Sequence, residues 1–206
     1  MKFIGITGGV GAGKSEILHY IQERYPAKIL LADELAHELM MPGTECYAQI
    51  RQTFGKEDIF LPQGEIEAGK LSSVIFSDSG KRMQLNEIVH PAVKKEIIKM
   101  ADQERKKGEV SYFILEAALL IEEGYDKICD ELWYIYTTKA IRRKRLKESR
   151  GYSDAKIDAI FCSQISEEEY RRYCKVIIDN NGPLQKTFDQ INEAFAKEHT
   201  KQKQDV

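Results

Sequence analysis

The chain alternates short apolar runs with longer amphipathic segments. Five of the runs predict β-strands, and each is separated from the next by a helical pattern or a longer excursion. They cover residues 3–7, 28–31, 110–115, 132–137 and 175–179. The runs are continuously apolar and do not alternate, which is typical of parallel strands covered by helices on both faces. The pattern therefore predicts an α/β fold in which helices flank a five-stranded parallel sheet.

A long, mostly helical stretch separates the second predicted strand from the third. Residues 42–108 are too many for a simple crossover, and we expect them to form a helical substrate-binding subdomain. Within it, Pro91 is expected to start a helix over residues 92–107. The predicted domains are a core at 1–41 and 109–200, this subdomain, and a frayed tail at 201–206.

A basic segment follows the fourth predicted strand and breaks at Gly151. Its cationic residues are Arg142, Arg143, Lys144, Arg145, Lys147 and Arg150. Such a run is most often a solvated helix face or a nucleic-acid contact. The acidic overall balance and the position after a strand favour a lid, at about residues 142–165.

Composition limits the function classes. The 206 residues include 31 basic and 33 acidic side chains, a formal net charge of -2 that gives no global attraction for nucleic acid. The longest apolar runs are much shorter than a bilayer span, and the chain starts with a core strand where a signal peptide would stand. Four scattered cysteines predict reduced thiols, not zinc ligands or disulfides; they are Cys46, Cys129, Cys162 and Cys174. We expect a cytoplasmic protein without membrane or nucleic-acid partners.

Residues 8–15 carry the most specific motif. They read Gly-Gly-Val-Gly-Ala-Gly-Lys-Ser, which fits G-x-x-x-x-G-K-[ST] between a strand and a helix. In such a loop, backbone N–H groups and the helix dipole attract phosphates, the lysine reaches the β- and γ-phosphates, and the Ser15 hydroxyl binds Mg²⁺. The expected ligand is Mg-nucleoside triphosphate, so the predicted core at 1–41 and 109–200 is a nucleotide-binding domain and the predicted lid closes over the nucleotide. One or two arginines of the basic segment are then expected to stabilise charge on a transferred phosphoryl group. The expected nucleotide contacts are Gly8, Gly11, Ala12, Gly13, Lys14, Ser15 and Glu16.

Polar residues at the ends of other predicted strands are further candidates. Asp33 follows the second strand, where it either accepts the proton of a phosphoryl acceptor or caps a helix over residues 34–41. Glu116 ends the third strand, a position suited to holding Mg²⁺, and Glu122 either acts on the same ion or caps a short segment. Asn181 follows the last strand, where it either brackets adenine or serves a turn. His90 either touches substrate or is structural.

Taken in order, these residues resemble the dephospho-CoA kinase family, over roughly residues 2–195. The resemblance is carried by the loop itself and by a series of short motifs. These are Ala32-Asp33 with the helix 35–39, Phe54-Gly55, Gly64-Glu65-Ile66, Leu71 with residues 74–76, His90-Pro91, Leu119-Leu120 with Glu122, Arg145-Leu146, Gln164, and residues 178–182. The ordered set is much more specific than the loop alone.

The resemblance implies a P-loop kinase fold with a core, a helical substrate domain and a lid. It implies transfer of the γ-phosphoryl group of ATP, with Mg²⁺, to the 3′-hydroxyl of dephospho-CoA. By position, Asp33 resembles the acceptor-activating carboxylate, Lys14 and Ser15 resemble the phosphate and Mg²⁺ contacts, and His90 resembles a position in the substrate domain. We expect a monomer or a weak homo-oligomer.

The chain departs from the family pattern at several positions. Glu16 replaces a usual threonine, Ala68 a usual arginine, and Ala117-Ala118 a proline-containing approach. The usual lid arginine falls on Ser149, which leaves Arg145 and Arg150 as the lid candidates. Two other hypotheses therefore stand: another small-molecule or nucleoside monophosphate kinase, and a nucleotide-binding protein that has lost transfer. A guanine-nucleotide switch is disfavoured, because no N-K-x-D motif is present.

Overall fold

A computed structural model describes residues 1–204, with side chains described as far as residue 197. In chain order the elements are β1 (Lys2–Thr7), α1 (Lys14–Arg24), β2 (Ala27–Leu31), α2 (Ala32–Leu39), α3 (Glu45–Phe54), α4 (Ala68–Ser77), α5 (Ser79–Lys107), β3 (Tyr112–Glu116), β4 (Glu131–Tyr136), α6 (Lys139–Arg150), α7 (Asp154–Cys162), α8 (Glu167–Tyr173), β5 (Val176–Asp179) and α9 (Leu184–Gln204). A short 3₁₀ helix, Tyr125–Lys127, precedes β4. The predicted frayed tail at 201–206 lies outside the residues whose side chains are described.

The five strands form one sheet in the order β2-β3-β1-β4-β5. Strand β1 pairs in parallel with β3 on one side and with β4 on the other, and β4 pairs in parallel with β5. Residues 3–7 of β1 are all buried, as expected for a central strand covered on both faces. The predicted five-stranded parallel sheet is confirmed, with strand ends within two residues of those expected from the sequence.

Aromatic side chains pack the sheet against the C-terminal helix. Phe195 of α9 is 1% exposed, and its ring lies 4.6 Å from that of Tyr112 and 4.9 Å from that of Trp133, centroid to centroid. Burial of rings of this size is a large hydrophobic contribution to stability. These rings therefore form part of the hydrophobic core that supports the sheet.

The chain divides into two compact units. The first comprises residues 1–30 and 107–206, and the second comprises residues 31–106. The second unit thus begins at the end of β2, so it includes α2, which the sequence analysis placed in the core. The assignment of a substrate subdomain and a lid to particular ranges stays a prediction.

The helical unit is built on one long helix. Its buried side chains come mainly from α3, α4 and α5, with Ala32 and Leu35 of α2 and Ile59 of the segment between α3 and α4. Those of the three longer helices include Cys46, Ile50, Phe54, Leu71, Leu85, Val89, Val93 and Ile97. The expectation that Pro91 starts a helix is wrong: α5 runs without interruption from Ser79 to Lys107, with Pro91 inside it. Proline lacks the N–H that would donate to the carbonyl four residues earlier. The apolar contacts of α5 on both sides of Pro91 outweigh that loss.

Candidate functional site

The loop between β1 and α1 has the backbone that the motif requires. Gly8, Gly11 and Gly13 have φ of 151°, 82° and 89°. A side chain at Gly8 would lie 2.7 Å from the Ile135 carbonyl oxygen, which belongs to the sheet and cannot move aside. The loop therefore lies directly against β4, at the carboxyl end of the central strand, where ligands of open α/β sheets bind.

Lys14 is held inside the loop that it follows. Its Nζ donates to the Gly8 carbonyl oxygen at 2.8 Å and lies 3.2 Å from Glu116 Oε1. Glu116 ends β3, and the parallel register places it opposite Ile6 of β1. The structure thus brings together two predicted site residues, a cation for phosphates and a carboxylate for a metal ion, and keeps both side chains largely buried.

Ser15 and Glu16 lie in the first turn of α1 and are exposed. No side chain caps this helix, so its N-terminal N–H groups are available to an anion. An acidic residue in the first turn is favourable for a helix. Glu16 therefore has a structural explanation at a position where the family usually has threonine.

Three side chains converge on the Ala12 carbonyl oxygen. It accepts hydrogen bonds from Asn180 Nδ2 at 2.7 Å, Thr137 Oγ1 at 3.1 Å and Arg145 Nη1 at 3.1 Å. Asn180 is 1% exposed, and Thr187 Oγ1 donates to its Oδ1 at 3.0 Å. A carbonyl with that many donors is fixed in direction. The loop shape is therefore set by the ends of β4 and β5 as well as by its own glycines.

The other predicted residues of this unit have different contacts. Asn181 Oδ1 accepts from the Thr138 backbone N–H at 2.8 Å, which ties the turn after β5 to the start of α6. Arg145 also donates to the Asn180 carbonyl at 2.9 Å. Arg150 is exposed, and its guanidinium lies 5.9 Å from the Tyr152 ring centroid. Arg145 is therefore at the loop in this structure, and Arg150 is not.

Asp33 and His90 belong to the helical unit. Asp33 is exposed in the first turn of α2, whose N-cap residue is Leu31, so the alternative that Asp33 caps this helix is wrong. His90 is half-buried within α5, next to Pro91. Their roles toward a substrate stay predictions.

Sequence reasoning missed part of the site. Asn180 and Thr137 were not singled out, although both follow strands, and a polar residue at a strand end is the signal that finds them. Arg142 was one of a run of six cations and was not distinguished from the rest. It is the buried one, 7% exposed, with Nε donating to the Val10 carbonyl at 2.8 Å.

Three of the four cysteines are buried in this arrangement, two of them with unreactive thiols, and Cys162 is exposed. All four are free, and burial raises the pKa of the Cys129 and Cys174 thiols to about 12. Thiols with such a pKa are unreactive near neutral pH. Within the described part of the chain, no group of three or more His, Cys, Asp or Glu side chains is arranged to bind a metal ion, and no helix has the length and apolar character to cross a bilayer.

Comparison with known proteins identifies the family. The family model described as dephospho-CoA kinase matches residues 2–186. The chain belongs to the dephospho-CoA kinase family. A relative from Geobacter sulfurreducens, named dephospho-CoA kinase, is 36% identical over 197 residues, covering 96% of this chain and 98% of its own.

Solved structures agree with the fold of this family. TT1252 from Thermus thermophilus superposes with a TM-score of 0.77 at 24% identity, covering 95% of this chain and 97% of its own. Dephospho-CoA kinase from Campylobacter jejuni superposes with a TM-score of 0.71 at 20% identity, covering 96% and 97%. The predicted P-loop kinase fold and the predicted family are thereby confirmed.

Proposed function

We propose that this member of the dephospho-CoA kinase family transfers the γ-phosphoryl group of ATP to the 3′-hydroxyl of dephospho-CoA, giving coenzyme A and ADP. The observation that carries the proposal is the ordered phosphate loop, with Lys14 held by the Gly8 carbonyl and Glu116, in a chain that matches the family from residue 2 to 186. No observation favours a nucleoside monophosphate kinase or a protein without transfer activity.

The nucleotide phosphates are proposed to bind on residues 8–15. Lys14 Nζ then donates to phosphate oxygens instead of to the Gly8 carbonyl oxygen, and its contact with Glu116 keeps it in reach. Arg145, fixed to the Ala12 and Asn180 carbonyls, adds positive charge next to the loop. Fixed cations and N–H groups stabilise the charge that develops on the transferred group. Asn181 is proposed to bracket the adenine, supported by its position in the turn after β5.

Mg²⁺ fits the oxygen groups at the loop. It is a hard cation that uses a few protein oxygens together with substrate phosphates, so a site without a cluster of acidic residues suits it. The Ser15 hydroxyl and the Glu116 carboxylate are the groups proposed to hold the ion, directly or through water. When bound, Mg²⁺ neutralises charge on the β- and γ-phosphates.

Asp33 is proposed to accept the proton of the attacking hydroxyl. The 3′-oxygen forms a bond to the γ-phosphorus, the bond from that phosphorus to the bridging oxygen breaks, and ADP leaves with the electron pair. The hydroxyl proton passes to the Asp33 carboxylate. The exposed position of Asp33 two residues after β2, in a helix that it does not cap, supports this role. His90 is proposed as a substrate contact in the helical unit.

The enzyme is further proposed to act in the cytoplasm, as a monomer or weak homo-oligomer. Four free cysteines suit a reducing compartment. The formal net charge of -2 supports a small-molecule substrate, with no nucleic-acid partner.

ADP release with Mg-ATP tests this function directly. Dephospho-CoA is compared with no acceptor and with nucleoside monophosphates, and we expect acceptor-dependent turnover with dephospho-CoA alone. Turnover with only another acceptor would reassign the substrate, and Mg-ATP binding without any turnover would favour a protein that has lost transfer.

Asp33→Asn tests the proton acceptor, with Glu34→Gln as the matched control because Glu34 is an exposed acid on the same helix turn. We expect Asp33→Asn to lower kcat by roughly 10²- to 10⁴-fold, the usual contribution of a general base. Mg-ATP affinity should stay as in the wild type, and Glu34→Gln should retain activity. Unchanged turnover in Asp33→Asn would remove this residue from the mechanism.

A further inference from the structure

Arg142 differs from the other cations of α6 in its surroundings. The residue is 7% exposed, and its Nε donates to the Val10 carbonyl oxygen at 2.8 Å. Its Nη2 donates to Gln164 Oε1, and its guanidinium carbon lies 4.5 Å from the Phe161 ring centroid. One side chain thus connects the phosphate loop, the start of α6 and the segment that follows α7.

The guanidinium also lies against the backbone of Gly9. A Cβ atom built on Gly9 would overlap the Cζ and both terminal nitrogens of Arg142. Gly9 is one of the four variable positions between Gly8 and Gly13 in the loop motif, so the motif itself does not demand glycine there. The close approach of Arg142 gives a reason for glycine at this position in this chain.

The charge of Arg142 is not neutralised by a carboxylate. In the described structure, its guanidinium donates to the Val10 carbonyl and to the side-chain amide of Gln164, and it lies over the Phe161 ring. Burial lowers the pKa of Arg142, and the phenols of Tyr134 and Tyr170 oppose that effect, but arginine stays protonated at neutral pH. A buried cation without a counterion is unfavourable by itself. Phosphate groups bound by the loop would supply negative charge near this guanidinium.

We infer that Arg142 is a positioning residue for the phosphate loop. It fixes the Gly9 and Val10 segment so that the loop N–H groups face the β- and γ-phosphates, places a positive charge behind them, and links this shape to Gln164. The inference rests on the proposed function, because it assigns a nucleotide to the loop. A residue that only filled the core would change stability, whereas a positioning residue changes nucleotide affinity in a protein that is still folded.

The experiment measures Mg-ATP binding by calorimetry without an acceptor, together with KM for each substrate, kcat and the melting temperature. The variants are Arg142→Gln and Arg142→Lys. Arg143→Gln is the matched control, because Arg143 is the neighbouring arginine of the same helix and donates to Asp154 and Asp158 and to no loop atom.

Arg142→Gln is expected to weaken Mg-ATP binding about tenfold, the effect of one lost charge-assisted hydrogen bond. KM for ATP should rise in parallel, and KM for dephospho-CoA should not. Arg142→Lys keeps the charge and one donor for Val10, so we expect it to recover part of the affinity. Arg143→Gln should bind Mg-ATP as the wild type does.

Wild-type affinity in a folded Arg142→Gln protein would overturn the inference, as would a Lys variant no better than the Gln variant. Should Arg142→Gln fail to fold, Gln164→Ala removes only one of the two hydrogen bonds of the guanidinium. Weaker Mg-ATP binding in Gln164→Ala supports the link, and unchanged binding contradicts it. Because binding is measured without acceptor, failure of the wild type to phosphorylate dephospho-CoA would reject the proposed function and leave this test intact.

Discussion

Two faces of α6 carry the same kinds of residue and have different contacts. Arg142 and Arg145 are three residues apart and share one face, from which they donate to the Val10 and Ala12 carbonyls. Arg143, one position away, points to α7 and donates to Asp154 and Asp158. Arg142 is buried, Arg145 and Arg143 are both half-buried, and the carboxylate partners of Arg143 are exposed. Helical periodicity, and not the density of cations, therefore decides which arginines contact the loop.

The same periodicity explains the departure at Ser149. This residue lies seven positions after Arg142, so it belongs to the loop-facing side, and its Oγ donates back to the Arg145 carbonyl at 2.7 Å. Arg150 is one position further, on the neighbouring face, where its guanidinium lies near Tyr152. Arg150 therefore does not take the place of an arginine at position 149, because successive residues of a helix are about 100° apart.

Among substitutions that disturb the contact between the loop and α6, we expect Gly9→Ala to weaken Mg-ATP binding most. The new methyl group would overlap the Arg142 guanidinium and force it out of its hydrogen bonds with Val10 and Gln164. We expect Mg-ATP binding to weaken roughly 10- to 100-fold, as for the loss of two such bonds. Calorimetric titration with Mg-ATP measures this.

Gly69→Ala is the matched control for that substitution, because a Cβ at Gly69 would meet nothing within 4 Å. It should leave Mg-ATP binding unchanged. Combining Gly9→Ala with Arg142→Gln should be hardly worse than Gly9→Ala alone, since both act through one contact. Fully additive losses would show that the two residues act independently.

Arg145→Met should have a smaller but clear effect. It removes the bonds to the Ala12 and Asn180 carbonyls, while Asn180 and Thr137 still donate to Ala12. We expect about a tenfold rise in KM for ATP, equivalent to the loss of one charged hydrogen bond. Lys144→Met, on an exposed position of the same helix, should match the wild type. Steady-state kinetics at saturating dephospho-CoA provide the comparison.

Arg150→Met sharpens the same comparison, since the sequence left both Arg145 and Arg150 as lid candidates. On the contacts in this structure, Arg150→Met should raise KM for ATP less than Arg145→Met does. The reverse order would mean that Arg150 reaches the phosphates when nucleotide is bound.

The sequence predicts the parts of this molecule that local patterns determine. Continuous apolar runs give the five strands, and the spacing of glycines, Lys14 and Ser15 gives the loop. Tertiary contacts determine the rest. The burial of Arg142 and the three donors on the Ala12 carbonyl depend on how α6, β4 and β5 meet the loop, and Pro91 lies inside a helix because packing on both sides of it maintains α5. The burial of Arg142 and the position of Pro91 inside α5 leave no signal in a window of neighbouring residues, whereas Asn180 and Thr137 are marked only by their places at strand ends.

Substitution on the face of α6 that carries Arg143 and Lys147 should have the smallest effect, a change in stability that depends on pH. Lys147 and Arg143 hold the pKa of Asp154 below its ordinary value by hydrogen bonding to its carboxylate. A carboxyl group whose pKa is lower in the folded state than in the unfolded state stabilises the protein at pH values above its unfolded-state pKa, about 3.9 for aspartate. This stabilisation is lost as the pH falls through the folded-state pKa. Arg143→Gln should therefore lower the melting temperature slightly at neutral pH, as exposed ion pairs contribute little.

Acidification tests whether the ion pair between Arg143 and Asp154 causes the difference in melting temperature. As Asp154 becomes protonated in both the folded and the unfolded state, the melting temperatures of the wild type and Arg143→Gln should converge. At neutral pH the two proteins should bind Mg-ATP with equal affinity. Thermal denaturation from neutral pH to below about pH 4, the ordinary range of an aspartate, measures the convergence. A difference in melting temperature that persists or grows in acid would mean that Arg143 stabilises the protein by packing, since its Cζ lies 5.6 Å from the Phe161 ring centroid. Arg142 and Arg143 would then both act through contacts with that ring, and the two faces of α6 would differ only in degree.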